Sequence, residues 1–262
     1  MTQQLGKVPY LTNEDYHANP AIGSSSVIKL IKKSPLHYKA SMDRKEPQTE
    51  AMKFGQAFHS AILEVEKFKE NYVERPEGMS FVSKEGKSWR DAQTKEILTF
   101  DQFADLRGMF ASVYGSSLVA PLLSGGDSEQ SYFWKDEATD LICKCRPDYL
   151  NDMFMVDLKS TEDASEYGWT SSKFRWKYDI QAQFYMRGLK ACTGIDYDFK
   201  WIVVEKAYPY AVAVYEMTNE EKVNADTQID QALSTIKMCQ DLNTWPGYDD
   251  RVRTTAPVYF GI

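Results

Sequence analysis

The sequence predicts an α/β fold with a helical front end, and three observations predict it. Up to about residue 119 the apolar residues recur mainly at helical spacing. Between Glu129 and Lys159 the character changes to three consecutive strand-like runs. After that a long helical pattern intervenes before two further strands and a last helix. Helices, a β-meander, a crossover helix and more strands in that order belong to one α/β domain, read here as spanning residues 1–262.

The elements follow in order. Leu11 to Met42 opens polar and turns helical: Ser24, Ser25 and Ser26 offer N-cap hydroxyls ahead of Val27, Ile28, Leu30 and Ile31, and Ser34-Pro35 interrupts or restarts that helix. Thr49 to Glu70 is predicted as one helix whose buried stripe is Phe54, Phe58, Ile62 and Val65. Pro76, Gly78 and Gly86 mark Asn71 to Gln93 as mostly loop, carrying Lys84, Lys87 and Arg90 around Trp89. A helix over Phe100 to Val119 ends ahead of the breaker Ser124 to Asp127. The three strands are Glu129 to Lys135, Leu141 to Tyr149 and Met153 to Lys159. A helix over Ser172 to Ala191 follows, then strands Phe199 to Glu205 and Tyr210 to Glu216 and a helix over Thr218 to Leu242. The last twenty residues, rich in Pro, Gly and aromatics, show no period, and the sequence leaves the role of Trp245 to Ile262 open.

Composition narrows the function classes. With 43% hydrophobic, 26% charged and 13% aromatic residues in 262, the balance is globular and the core sizeable. A formal net charge of −7 argues against a protein that coats nucleic acid by bulk charge, so any DNA contact has to come from local clusters. The four cysteines, Cys143, Cys145, Cys192 and Cys239, fit no zinc spacing and imply no disulfides, and Cys143 and Cys145 fall on an apolar face. Met1 to Tyr10 has no apolar run, and no stretch approaches the ~18 apolar residues of a membrane span, so the expectation is a soluble, cytoplasmic protein.

The residues with chemistry lie on one predicted hairpin. If Asn151 and Asp152 form a two-residue loop, Leu150 opposes Met153 and Asp148 opposes Met155. Asp148 then shares a face with Met155, Asp157 and Lys159, joined by Lys144 and Arg146. Leu141, Cys143, Cys145, Phe154, Val156 and Leu158 collect on the other face. Asp148 and Asp157 become diagonal neighbours with backbones roughly 7–8 Å apart, and two carboxylates at that spacing can share one cation. Hard oxygen ligands suit Mg²⁺, with Mn²⁺ as substitute, better than zinc. Lys159, pointing the same way, can hold or help deprotonate an attacking water and offset phosphate charge. These are the parts that phosphodiester hydrolysis needs. A D-x-K pair alone is more often a solvated surface hairpin; the longer string from Arg146-Pro147-Asp148 to Asp157-Leu158-Lys159-Ser160 favours the site.

This string resembles the PD-(D/E)XK nuclease superfamily, and other stretches are similar to its RecE-type (exonuclease VIII-like) branch from phages and prophages. Leu11 to His17, Ser24 to Ser26 and Ser34 to Tyr38 resemble that branch's N-terminal segment. Gly55 to His59 resembles its G-x-x-x-H helix. Cys145 to Asp148 and Val156 to Ser160 resemble the metal hairpin, and Tyr178 to Tyr185 the Q-x-x-x-Y helix. The likeness runs in order from about residue 10 to residue 205.

The resemblance implies a restriction-endonuclease-like core, a central mixed β-sheet flanked by helices. It implies Mg²⁺-dependent, processive 5′ to 3′ degradation of linear double-stranded DNA from its ends. A homo-oligomeric ring threaded by DNA and a RecT-type single-strand annealing partner are implied with it. Metal-ligating positions would be His59, Asp148, Asp157 and Leu158, and catalytic ones Asp148, Asp157, Lys159, Gln181 and Tyr185. Gly55, one turn before His59 on the same helix face, would leave room for metal or phosphate. Glu129 matches loosely an acid near a second metal and is equally readable as an edge-strand charge. Ser25, Ser26, Lys29, Arg146 and Lys177 are DNA-contact candidates, with Lys32 and Lys33 extending Lys29, and Lys84, Lys87 and Arg90 around Trp89 as a further group; a helix cap for the serines and an exposed basic loop for that group are the plain alternatives. Two other functions stay open at this point: a single-strand or structure-specific nuclease of the same fold, and a catalytically silent DNA-binding scaffold of recombination.

Overall fold

The computed structural model describes residues 4–43 and 47–254. Its elements run β1 (Gly6–Val8), α1 (Asn13–Ala18), α2 (Ser24–Lys32), α3 (Pro35–Asp43), α4 (Glu50–Leu63), α5 (Val65–Asn71), β2 (Tyr72–Glu74), α6 (Lys84–Asp91), β3 (Glu96–Leu98), α7 (Phe100–Gly115), β4 (Asp127–Ser128), β5 (Ser131–Lys135), β6 (Ile142–Cys145), β7 (Tyr149–Leu150), β8 (Phe154–Thr161), α8 (Glu166–Trp176), α9 (Tyr178–Thr193), β9 (Asp198–Glu205), β10 (Val212–Tyr215) and α10 (Asn219–Leu242). Side-chain hydroxyls start most of the helices: Thr12, Thr49, Ser83, Thr99, Ser165 and Thr218 each accept a backbone N–H of the first turn. Thr99 with Gln102 and Thr218 with Glu221 close full capping boxes.

The central sheet is mixed, in the order β10-β9-β8-β7-β4, with β8 and β9 parallel and the other pairs antiparallel. A second, antiparallel sheet runs β1-β5-β6. The central sheet is covered on both faces. Met155, Phe199, Trp201 and Val203 pack with α2, α9 and α10. Val156, Leu158, Ile202 and Val204 pack with α4 and α7. A strand buried on both faces cannot show the apolar–polar alternation of a half-exposed hairpin. The expectation of one apolar and one charged face is therefore corrected: the Asp157 face lies under helices, with Met155 fully buried on it.

The predicted meander is a handover between sheets. Instead of one strand over Leu141 to Tyr149, β6 ends at Cys145 and β7 begins at Tyr149, and the two belong to different sheets. Pro147, with no N–H, cannot continue a ladder. The preceding strand breaks at the same level, since β4 pairs β7 and β5 pairs β6. Glu129 sits in that break with φ 53°, and its N–H donates to the Asp148 carbonyl at 3.1 Å. The β7–β8 loop is longer than predicted: Asn151 Oδ1 accepts the N–H groups of Met153 and Phe154, and Leu150 pairs Met155. The register thus shifts by two, which preserves side-chain parity. Asp148 keeps its face and comes directly opposite Asp157 instead of diagonal to it.

Other boundaries differ as well. Gly23, not a serine, occupies the N-cap of α2, so Ser24, Ser25 and Ser26 form its first turn. The helix predicted over Thr49 to Glu70 divides at Glu64; Phe54 is half-buried, and Val65 starts α5 exposed. The predicted loop Asn71 to Gln93 contains β2 and the helix α6. Gly86 breaks nothing there: it is a helical glycine because a Cβ would lie 2.1 Å from the Ser80 carbonyl oxygen. The helix predicted to reach Val119 stops at Gly115. The helix over Ser172 to Ala191 is two, α8 and α9, divided at Lys177 in the left-handed conformation (φ 60°). Trp245 packs on Tyr38, ring centroids 5.5 Å apart, and residues 255–262 lie outside the described residues. Among the described residues no helix is long and apolar enough to cross a membrane.

Candidate active site

The handover between sheets makes a notch at the edge of the central sheet, and Asp148 fills it. Continuing the β7–β8 register would set Pro147 against Leu158. The proline bends away, and Asp148 Oδ2 accepts the Leu158 N–H at 2.7 Å instead. An extended residue presents its N–H and C=O to the same side, so the Leu158 carbonyl also faces the notch. From α4, His59 brings Nδ1 to 3.4 Å from Asp148 Oδ2. One turn earlier on α4, the place of a Gly55 Cβ is open space.

His59, Glu129 and Asp148 each offer a ligand atom within 4.8 Å of one another. The acid that joins His59 and Asp148 in this cluster is thus Glu129, expected only at a second position. Asp157 is fully buried opposite Asp148 and ion-paired with Lys159. Apart from that ammonium, neither Asp157 oxygen finds a hydrogen-bond donor. Lys159 Nζ is held in addition over the Tyr178 ring, 4.8 Å from its centroid.

The electrostatics express crowding of carboxylates in a dry place. Burial, reinforced by the Asp148 charge, pushes Glu129 up to about 8. Burial likewise raises Asp157 to about 6, with Asp148 adding to the rise and Lys159 opposing it. Burial works against ionised Asp148 too, but His59, Lys159 and the Leu158 N–H together hold it below the usual carboxylate range. Burial opposes the charged forms of His59 and Lys159; the carboxylates beside them prevail and raise both. In the metal-free protein Lys159 is therefore held as an ammonium, a hydrogen-bond donor beside Asp157.

Two carboxylates and an imidazole on one side, and a third, buried carboxylate with no donor but the Lys159 ammonium on the other, are a donor set for a hard divalent cation such as Mg²⁺ or Mn²⁺. Asp148, between them, is the position from which both halves are reached.

The wall of the site comes from α9. Gln181 Nε2 donates to Tyr185 Oη at 3.4 Å. Tyr185 is buried, and burial, with the Asp157 and Asp148 charges adding to it, raises its hydroxyl far above the ordinary range. Lys177 leaves this wall because the helix break turns it away, its Nζ lying 4.8 Å over the Phe174 ring. Tyr178 takes the place against Lys159.

Arg146 and Lys144 are corrections. Arg146 Nε donates to Ser131 Oγ at 2.9 Å, and its terminal nitrogens to the carbonyls of Leu11 and Thr12 and to Asn13 Oδ1, over the Tyr16 ring. Lys144 Nζ donates to the carbonyls of Tyr16 and Asn19. Both cations tie the N-terminal segment to β6 rather than facing DNA. Ser25, Ser26 and Lys29 stand on α2, which begins beside β6 through the Ile22–Cys143 bridge. Lys84, Lys87 and Arg90 lie on α6 with Trp89, which stacks on Phe81.

Comparison with known proteins agrees with this architecture. A crystal structure of a candidate exonuclease from Eubacterium rectale superposes with a TM-score of 0.68, covering 96% of this chain and 97% of that one at 15% identity, which establishes a shared fold. An alkaline exonuclease from Laribacter hongkongensis aligns more loosely, with a TM-score of 0.32 over 72% of this chain and 95% of its own at 12% identity, too little to argue from. No curated protein matches the sequence. The family profile described as "PDDEXK-like domain of unknown function (DUF3799)" matches residues 24–254. With that match over most of its length, and with the mixed sheet and the Asp148, Asp157 and Lys159 hairpin of that fold, the chain belongs to this PDDEXK-like family.

Proposed function

We propose that the chain is a Mg²⁺-dependent exodeoxyribonuclease of the RecE type, degrading linear duplex DNA 5′ to 3′ to expose a strand for annealing. The observation that carries this reading is the convergence of His59, Glu129 and Asp148 within 4.8 Å, next to the buried Asp157–Lys159 pair. A divalent cation held there, with Mn²⁺ able to replace Mg²⁺, would polarise the phosphate and lower the pKa of a water it binds. The chain's own groups do the rest. Leu158 N–H and His59 fix the Asp148 carboxylate. Asp157 and Tyr178 hold the Lys159 ammonium where it can orient a water by its oxygen and neutralise phosphate charge. Gln181 and Tyr185 close the opposite wall, and the open space at Gly55 leaves room for the phosphate. None of these groups reads a base edge, so the reaction is expected to be indifferent to sequence. A ring-shaped homo-oligomer and a RecT-type annealing protein complete the proposal, because processive resection needs a protein that stays on its strand and a partner for the strand it exposes.

Digestion of linear duplexes carrying a 5′-phosphate on one strand or the other tests this, with a nicked circle and a single strand alongside, in Mg²⁺ or EDTA. The expected result is nucleotide release from the 5′-phosphorylated strand of the linear duplex, absent in EDTA and reduced at least 100-fold in Asp157→Ala. Preferential cutting of the single strand would replace the exonuclease with a single-strand nuclease of the same fold. Tight DNA binding without hydrolysis of any substrate would establish the silent scaffold instead.

A further inference from the structure

The last turn of α8 combines features that the site does not use. Phe174 is 70% exposed and Trp176 49% exposed. Each ring carries a cation: Lys177 Nζ lies 4.8 Å from the Phe174 centroid, while the Arg175 guanidinium and Lys32 Nζ lie 5.1 and 5.2 Å from that of Trp176. Lys32, from the end of α2, also donates to the Arg175 carbonyl at 2.9 Å.

Basic groups at a helix C-terminus are explained by the helix dipole and by capping. Exposed aromatic rings are not explained that way. Nor is the lack of acids: in a chain with 38 acidic residues against 31 basic ones, many surface lysines and arginines are paired, as Lys173 is with Glu221 and Lys200 with Glu216. Among the described residues Lys32, Arg175 and Lys177 have no carboxylate partner. This positive, aromatic helix end stands next to the site along the chain. Lys177 is followed by Tyr178, whose ring stacks on Trp169 with centroids 5.6 Å apart and supports Lys159.

We propose that this ridge is a landing surface for single-stranded nucleic acid, with unstacked bases on Phe174 and Trp176 and phosphates on Lys32, Arg175 and Lys177. Every base has a π-face, so rings alternating with cations hold a strand without reading its sequence. The ridge rests on the nuclease reading, to which it adds the path of the strand beside the hydrolytic centre.

The test is binding of a fluorescein-labelled 12-mer oligothymidylate to the full chain in EDTA, where nothing is cut. Wild type is compared with Phe174→Ala, Trp176→Ala, Trp176→Phe and Arg175→Ala, each checked for an unchanged melting temperature. The ridge predicts roughly tenfold weaker binding for each aromatic-to-alanine change, rescue by Trp176→Phe, and for Arg175→Ala a salt dependence shallower by about 0.7. Binding by Trp176→Ala as tight as wild type overturns it, and so does a change in the sedimenting species with binding intact, which would make the ridge a contact between copies. The two readings separate in wild type: ridge-dependent binding with no hydrolysis in Mg²⁺ or Mn²⁺ leaves the ridge standing and the nuclease refuted, whereas Mg²⁺-dependent hydrolysis with ridge-independent binding does the reverse.

Discussion

Asp148 owes its position to the residue before it. Pro147 ends one ladder, and the carboxylate supplies the bond that Leu158 would otherwise lack. The motif was legible in the sequence because face parity survives a register shift of two, so Asp148 and Asp157 would meet under either register. Glu129 was not legible as their equal. Its role depends on the chain breaking with positive φ at the level where the next strand breaks, and nothing around Glu129 announces that. Its burial gives a pH prediction. The folded-state value, raised to about 8, lies above the unfolded one, so the metal-free protein loses stability as pH rises from about 4.5 through 8 and the buried acid ionises beside Asp148. In EDTA, Glu129→Gln should melt several degrees above wild type at pH 9 and with little difference at pH 5, as read by circular dichroism. Equal melting at both values would mean that the acid is solvated. Arg146 gives a second prediction. As a clamp on Leu11, Thr12 and Asn13, its loss to alanine should cost about 2–4 kcal/mol in urea unfolding and open the N-terminal segment to proteolysis. An unchanged midpoint with weakened DNA binding would restore it to the DNA interface.

At the scale of elements, periodicity located most of the long helices and strands, while two helix breaks escaped it. Glu64 and Lys177 divide helices without a glycine or proline, so no local signal competes with the continuing apolar pattern. The Lys177 break matters most, because it separates the basic ridge from the wall that carries Tyr178, Gln181 and Tyr185. The α9 wall is itself seated on β5 by a close approach: a Cβ on Gly188 would come within 2.4 Å of the Trp134 ring. Gly188→Ala should therefore destabilise by about 1–3 kcal/mol, through overpacking that shifts α9 or the indole. A urea midpoint equal to wild type would show that the contact yields at no cost.

For the whole molecule, the order of the main elements was readable, and the handover of the meander between two of the three sheets was not. A strand that leaves one sheet for another reads as continuous, since both halves bury apolar side chains; Cys143 and Cys145 pack in one core, Tyr149 in the other. The acidic total also hides where nucleic acid would sit. A net charge of −7 is compatible with DNA binding only if cations are grouped, as they are on the ridge beside the site. His59, Glu129 and Asp148, at the seam between the sheets, are proposed to hold the cation that hydrolysis requires. The measurement that tests it most directly is the Mn²⁺ concentration giving half-maximal hydrolysis of linear duplex DNA, for wild type, His59→Ala and Glu129→Gln. The account predicts no hydrolysis in EDTA and a half-saturating concentration raised about tenfold or more in each variant, the usual scale of losing a ligand contact worth one to two kcal/mol. Hydrolysis that persists in EDTA, or the same half-saturating concentration in all three proteins, would contradict it.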